Sequence, residues 1–112
     1  MWKQAIPSNS GPSARSGHTA IYDVQNNLMT IYGGYDGTRL LSDTWVLSDP
    51  NGQGILPTWT EIVPQTTAPV RRFSSAVYDP VHNQMNVFGG VFTLPSLPDD
   101  HLFSLTDANG QP

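Results

Sequence analysis

The sequence predicts an all-β protein built from a repeated unit. Three observations carry that expectation. First, Arg15-Ser-Gly-His-Thr-Ala-Ile-Tyr-Asp23 returns 56 residues later as Arg71-Arg-Phe-Ser-Ser-Ala-Val-Tyr-Asp79, and Met29-Thr-Ile-Tyr-Gly-Gly34 returns at the same offset as Met85-Asn-Val-Phe-Gly-Gly90. Eight of the 20 positions in 15–34 and 71–90 are identical. A repeat of this length marks an array of small units, each too small to bury a core alone. Second, ten Gly and ten Pro among 112 residues supply abundant turns. Third, the apolar segments are short and rich in β-branched and aromatic residues, with no helical period of useful length.

The strands follow in order. His18–Asp23 and its copy Ser74–Asp79 are small, β-branched or aromatic. Each leads into a polar stretch suited to a hairpin loop, Val24–Asn27 or Pro80–Asn83. Leu28–Tyr32 and Gln84–Phe88 come next. Their alternation puts Met29 and Ile31, or Met85 and Val87, on one face, with Tyr32 or Phe88 on the other. Each ends in a Gly pair, which permits positive φ and close backbone approach, so a sharp exit is expected. A third strand is Thr44–Ser48, matched by His101–Leu105, with an offset of 58 carrying Trp45 onto Phe103. Asp49-Pro-Asn-Gly and Asp107-Ala-Asn-Gly then make plain Asn-Gly turns. They are too poor in oxygen ligands, and lack the terminal Glu, for a calcium loop. The fourth strand is Trp59–Val63, and its counterpart is Trp2–Ile6 at the start of the chain. With strands lettered a to d, the chain reads d–abcd–abc.

Net charge is −4, five basic against nine acidic residues, which disfavours sequence-independent nucleic-acid binding and anionic membranes. There is no cysteine, hence no disulfide framework and no thiolate metal site. No apolar run reaches membrane-spanning length. The N-terminus lacks the layout of a signal peptide, so a soluble protein is expected, its compartment open. His18, His82 and His101 lie in different parts of the repeat and form no metal-ligand spacing. No nucleophile elbow is present. No cofactor and no catalytic residue are assigned.

Arg15, Gly17, His18, Tyr22, Gly33, Gly34, Asp43, Trp45 and Trp59 stand in the order of a kelch repeat, which the chain resembles over nearly its whole length. The second unit keeps Tyr-Asp and Gly-Gly but carries Phe73-Ser74 for Gly-His and Phe103 at the Trp45 position. The resemblance implies a β-propeller, each repeat a four-stranded blade with strand a at the central channel. Residues 15–63 would form the first blade and 71–105 three strands of the second. His18 would be hydrogen-bonded within its blade. The d–a loops (Ser8–Ala14, Gln65–Val70) and b–c loops (Tyr35–Ser42, Val91–Asp99) would share the binding face, with Asp99-Asp100 solvated.

Two blades alone would leave apolar faces in water and an unpaired edge on the second. Propellers close with four to eight blades. If Trp2, Lys3, Gln4, Ala5 and Ile6 of one copy pair with His101, Leu102, Phe103, Ser104 and Leu105 of another, every blade has four strands. Three copies then give six blades, the preferred ring; four would give eight. The leading expectation is therefore a non-catalytic, self-assembling homotrimer, with a designed scaffold as one origin and an excerpt from a longer propeller as the other reading. An alternative is a module binding a protein, peptide or anionic glycan through Arg15, Arg71, Arg72 and Tyr35, since guanidinium groups grip anions in bidentate fashion. Against it stands an inter-blade structural role for the same arginines. A fragment of an enzyme is the distant third reading.

Overall fold

The computed structural model describes residues 1–111. Seven five-residue strands form two antiparallel sheets: β1 (Thr19–Asp23), β2 (Leu28–Tyr32), β3 (Thr44–Ser48) and β4 (Thr58–Ile62) in the first, β5 (Ser75–Asp79), β6 (Gln84–Phe88) and β7 (Leu102–Thr106) in the second. Each sheet is a meander, its strands in chain order. The repeat is kept in register: Ile21 lies opposite Thr30 and Thr30 opposite Val46, while Val77 lies opposite Asn86 and Asn86 opposite Ser104.

The sheets pack face to face. One face of the first carries Ile21, Thr30, Tyr32 and Val46; it meets the face of the second that carries Met85, Val87, Phe103 and Leu105. Met85 is wholly buried there. Strand β2 is therefore buried on both sides apart from Met29, which the simple alternation expected of it did not anticipate. The cause is position: Leu28, Thr30 and Tyr32 look into the inter-sheet core, while Ile31 packs beside Trp45 on the other side.

The Gly pairs serve close approach. Gly33 has φ +69°, and a Cβ there would stand 2.5 Å from the Arg71 carbonyl oxygen. The next amide, Gly34 N, donates to that same oxygen at 2.7 Å, Arg71 N donates to Leu41 O at 3.2 Å, and Phe73 N donates to Gly17 O at 2.7 Å. These bonds stitch the second sheet to the first at the end where β2 exits.

Three expectations need correction. The strand starting at His101 begins instead at Leu102, because His101 turns its amide and ring toward Asp99. His18 is exposed and makes no side-chain hydrogen bond among the described residues; its Cβ and amide lie where a Gly34 side chain would have to go. Of the Ser8–Ala14 loop, Ser8 and Asn9 leave the other loops, while Ser13 stays beside Arg15. Ser8 N donates to Pro57 O (2.7 Å), and Asn9 brackets the Trp59 backbone with Nδ2 on its carbonyl (2.8 Å) and Oδ1 on its amide (2.9 Å). The segment thus blunts the free edge of β4, where unpaired backbone groups invite a partner. Trp2–Ile6 is unpaired, with Trp2 and Ile6 exposed.

Candidate functional site

Arg15 and Arg71 occupy equivalent positions, and each closes on a carboxylate 28 residues further on. Arg15 grips Asp43 with two bonds, Nη1 to Oδ1 at 2.6 Å and Nη2 to Oδ2 at 3.0 Å, and donates to Gly33 O at 3.1 Å. Trp45 Nε1 donates to the same carboxylate at 2.8 Å. Burial pushes the Asp43 carboxyl up, but the Arg15 and Trp45 hydrogen bonds and the Arg15 charge outweigh it and hold it below the usual carboxylate range. Arg71 pairs with Asp99 and lies between the Phe92 and Phe103 rings, 5.3 and 5.1 Å from their centroids. Both guanidinium groups are nearly enclosed.

Arg72 and Tyr35 are brought together. The Arg72 guanidinium carbon stands 5.0 Å from the Tyr35 centroid and 4.8 Å from that of Phe73, with Nη2 donating to Ser96 Oγ at 3.2 Å. Arg72 makes no ion pair among the described residues. Around this cluster the 91–99 loop exposes Phe92, Leu94 and Leu97, and Phe73 is 63% exposed. The loop face therefore combines apolar side chains with Arg72, which has no carboxylate partner among the described residues, and the exposed Arg39, 3.8 Å from Asp36.

Asp99, expected to be solvated, is mostly enclosed by Arg71 and His101. Asp99, Asp100 and His101 do offer ligand atoms within 4.8 Å of one another. The Arg71 charge on Asp99 opposes a cation there, so the trio carries no metal assignment.

At the opposite end lies a polar seam that the sequence reading missed. Asp23 Oδ2 accepts from Asn109 Nδ2 (2.8 Å) and Asn26 Nδ2 (2.7 Å), and its Oδ1 accepts from Gln25 N (3.1 Å). Burial pushes this carboxyl up; the Asn109, Asn26 and Gln25 bonds prevail and hold it low. Tyr78 Oη reaches Asp23 at 3.4 Å and donates to Asn83 Oδ1 at 2.9 Å. Thr30 Oγ1 donates to Ala108 O at 2.6 Å. The 107–110 turn is thereby seated in the first sheet. The signal was present in the sequence: Tyr22-Asp23 with Asn27 recurs as Tyr78-Asp79 with Asn83, and the Arg-to-Asp spacing of 28 recurs as well.

The remaining residues expected at an interface between copies, Leu102, Ser104 and Leu105, lie on β7, whose outer edge has no strand beside it among the described residues. Between that edge and β4 runs an open groove of about 760 Å³, lined by Val46, Thr58, Thr60, Ile62, Leu105 and Asn109 among others.

No family model matches the chain. Mei4-dependent protein 6 of Schizosaccharomyces pombe is 44% identical over 36 residues, covering 32% of this chain and 5% of that protein. Rab9 effector protein with kelch motifs, from Xenopus laevis, is 34% identical over 68 residues, covering 50% of this chain and 19% of that protein. Half of this chain is similar to a kelch-motif protein. The two antiparallel meander sheets are compatible with kelch-like blades. The chain spans a fifth or less of the length of these two relatives.

Proposed function

We propose that the chain is a non-catalytic, kelch-type binding module whose two sheets are neighbouring blades of a propeller. The observation that carries this reading is the face-to-face packing of two sheets that repeat each other in sequence and register. Each sheet has a second face outside that contact, equivalent in the repeat to the packed face of the other sheet, so the packing can continue in both directions. Three copies would continue it into six blades, and four into eight; three is the preferred closure.

In that ring, Trp2–Ile6 of one copy fills the groove beside β7 of the next. Repeat equivalence sets Trp2 opposite Leu105, as Trp59 lies opposite Leu47. Trp2 would then sink into the groove against Thr60 and Ile62. The donated strand requires Ser8 and Asn9 to leave the β4 edge.

A protein or peptide is the favoured ligand of the loop face. Arg15 and Arg71 are already neutralised by Asp43 and Asp99, which removes most of the anion grip an acidic glycan would need. Phe73, Phe92, Leu94 and Leu97 around Arg72 suit an apolar contact with a polar centre.

Light scattering across a dilution series tests the ring. A mass of three chains, reduced to one by deletion of residues 1–6, is expected. A compact monomer at every concentration, with the deletion changing nothing, refutes it. A sulfated-glycan panel tests the loop face: no binding is expected, and binding lost in Arg72→Ala would restore the glycan reading.

A further inference from the structure

The seam at Asp23 has a half-built twin. In the sealed copy, Asn109 Oδ1 accepts from Asn83 Nδ2 (2.8 Å) and Gln111 N (2.8 Å), which orients its Nδ2 at Asp23. In the first sheet, Asn51 Oδ1 accepts from Asn27 Nδ2 (3.0 Å) and Gln53 N (2.9 Å) in the same way. Its Nδ2 is set in the same fashion but has no partner among the described residues. Tyr22 Oη donates to Asn27 Oδ1 at 2.9 Å, as Tyr78 Oη does to Asn83. The acceptor side is repeated too. Asp79 takes the place of Asp23, its Oδ1 accepting from Val81 N at 3.0 Å and its Oδ2 meeting His82 Nδ1 at 2.6 Å. Asp79 has no counterpart of Asn109 or Tyr78.

The apolar surfaces around these groups are repeated as well. Val77 stands for Ile21 and Phe88 for Tyr32; both are exposed, at 66% and 53%, where their counterparts are buried. Tyr22 and Met29, on the bare side of the first sheet, stand for Tyr78 and Met85. Each bare face thus lacks what the other carries.

We propose that the bare face of the second sheet is a docking surface for the bare face of the first sheet of another copy of this chain, with Asn51 Nδ2 and Tyr22 Oη of that copy closing on Asp79. The occupant is argued from the chain itself: the same donors, acceptor and apolar residues already form one such interface between its own two sheets. The inference rests on the blade reading above and adds its contact residues.

The test is a charge swap read by light scattering and sedimentation over a concentration series. Asn51→Asp keeps the acceptor bonds from Asn27 and Gln53, turns the outward donor into an acceptor and adds a negative charge facing Asp79. Asp79→Asn removes the receiving charge. A hydrogen bond to a charged group predicts roughly 10- to 100-fold weaker association for each single variant. The double variant N51D/D79N, with donor and acceptor exchanged, should regain most of the loss. Thermal melts of dilute protein should be nearly unchanged, since both side chains lie outside the buried seam. Association of the unaltered chain with no effect of either single variant overturns these contacts but leaves the ring. Weakened singles without recovery in the double overturn the direct pairing. A monomer at all concentrations overturns both this inference and the ring, and assigns the bare faces to further blades of a longer chain.

Discussion

Met85 and Met29 are the same residue of the repeat in two environments, which makes them a matched pair for measuring what the inter-sheet core contributes. Met85 is fully buried among Ile21, Tyr32, Val87 and Ala108. Met29 lies on the bare face of the first sheet, half-exposed. Truncating a buried Met to Ala loses the transfer free energy of the side chain and leaves a cavity, in all about 3 kcal/mol. For a domain of this size that lowers Tm by about 12 °C, at roughly 4 °C per kcal/mol. Met29→Ala leaves no enclosed cavity, and part of its surface is already in water, so about 1 kcal/mol or less is expected. Urea and thermal melts followed by circular dichroism, in protein dilute enough to be monomeric, read both values. Equal losses for the two variants would refute the reasoning, because the sheets would then not be packed through the Met85 face. If copies associate as proposed, the Met29→Ala cost should rise with protein concentration while that of Met85→Ala stays large throughout.

Gly33→Ala should destabilise the protein by more than 1 kcal/mol in a urea melt, because the residue holds positive φ and its new methyl would meet the Arg71 carbonyl; an unchanged midpoint would contradict the close crossing. Burial pushes the Tyr32 hydroxyl up to about 12, with the nearby Arg71 charge pulling slightly the other way. A folded-state pKa above the unfolded value near 10 means that the stabilising contribution is intact below pH 10 and disappears as pH climbs through 12. Tyr32→Phe should therefore flatten the fall in stability between pH 10 and 12, and an unaltered slope would count against a buried hydroxyl. Asn9→Ala frees the β4 edge; it should cost the monomer little and strengthen association several-fold by light scattering, whereas weakened association would mean that Asn9 belongs to the assembled form.

Strand positions were legible because the repeat supplies two readings of each. β2, β3 and β6 fall on their expected residues, and the Gly pairs mark the strand exits they were expected to mark. Side-chain partners were harder. Arg15 and Arg71 could be read as structural ion pairs or as an anion grip, but their carboxylate partners, Asp43 and Asp99 at one common spacing, were not picked out. The double burial of β2 depends on a second sheet lying on it, which no local pattern encodes. The course of Ser8–Gly11 was illegible for a different reason: its bonds to Pro57 and Trp59 join residues about fifty apart with no repeat counterpart to announce them.

The seating of the 107–110 turn bears on how the molecule is made. Asp23 and Thr30 leave the ribosome early, yet the groups that satisfy them, on Asn109 and Ala108, are synthesised 86 and 78 residues later. Throughout that interval the Asp23 carboxylate has only its local bonds from Gln25 and Asn26, and the Thr30 hydroxyl has only water. A chain interrupted just short of Ala108 would possess all seven strands and still lack this tie between its two sheets, so termination there should weaken the sheet packing although every strand is complete.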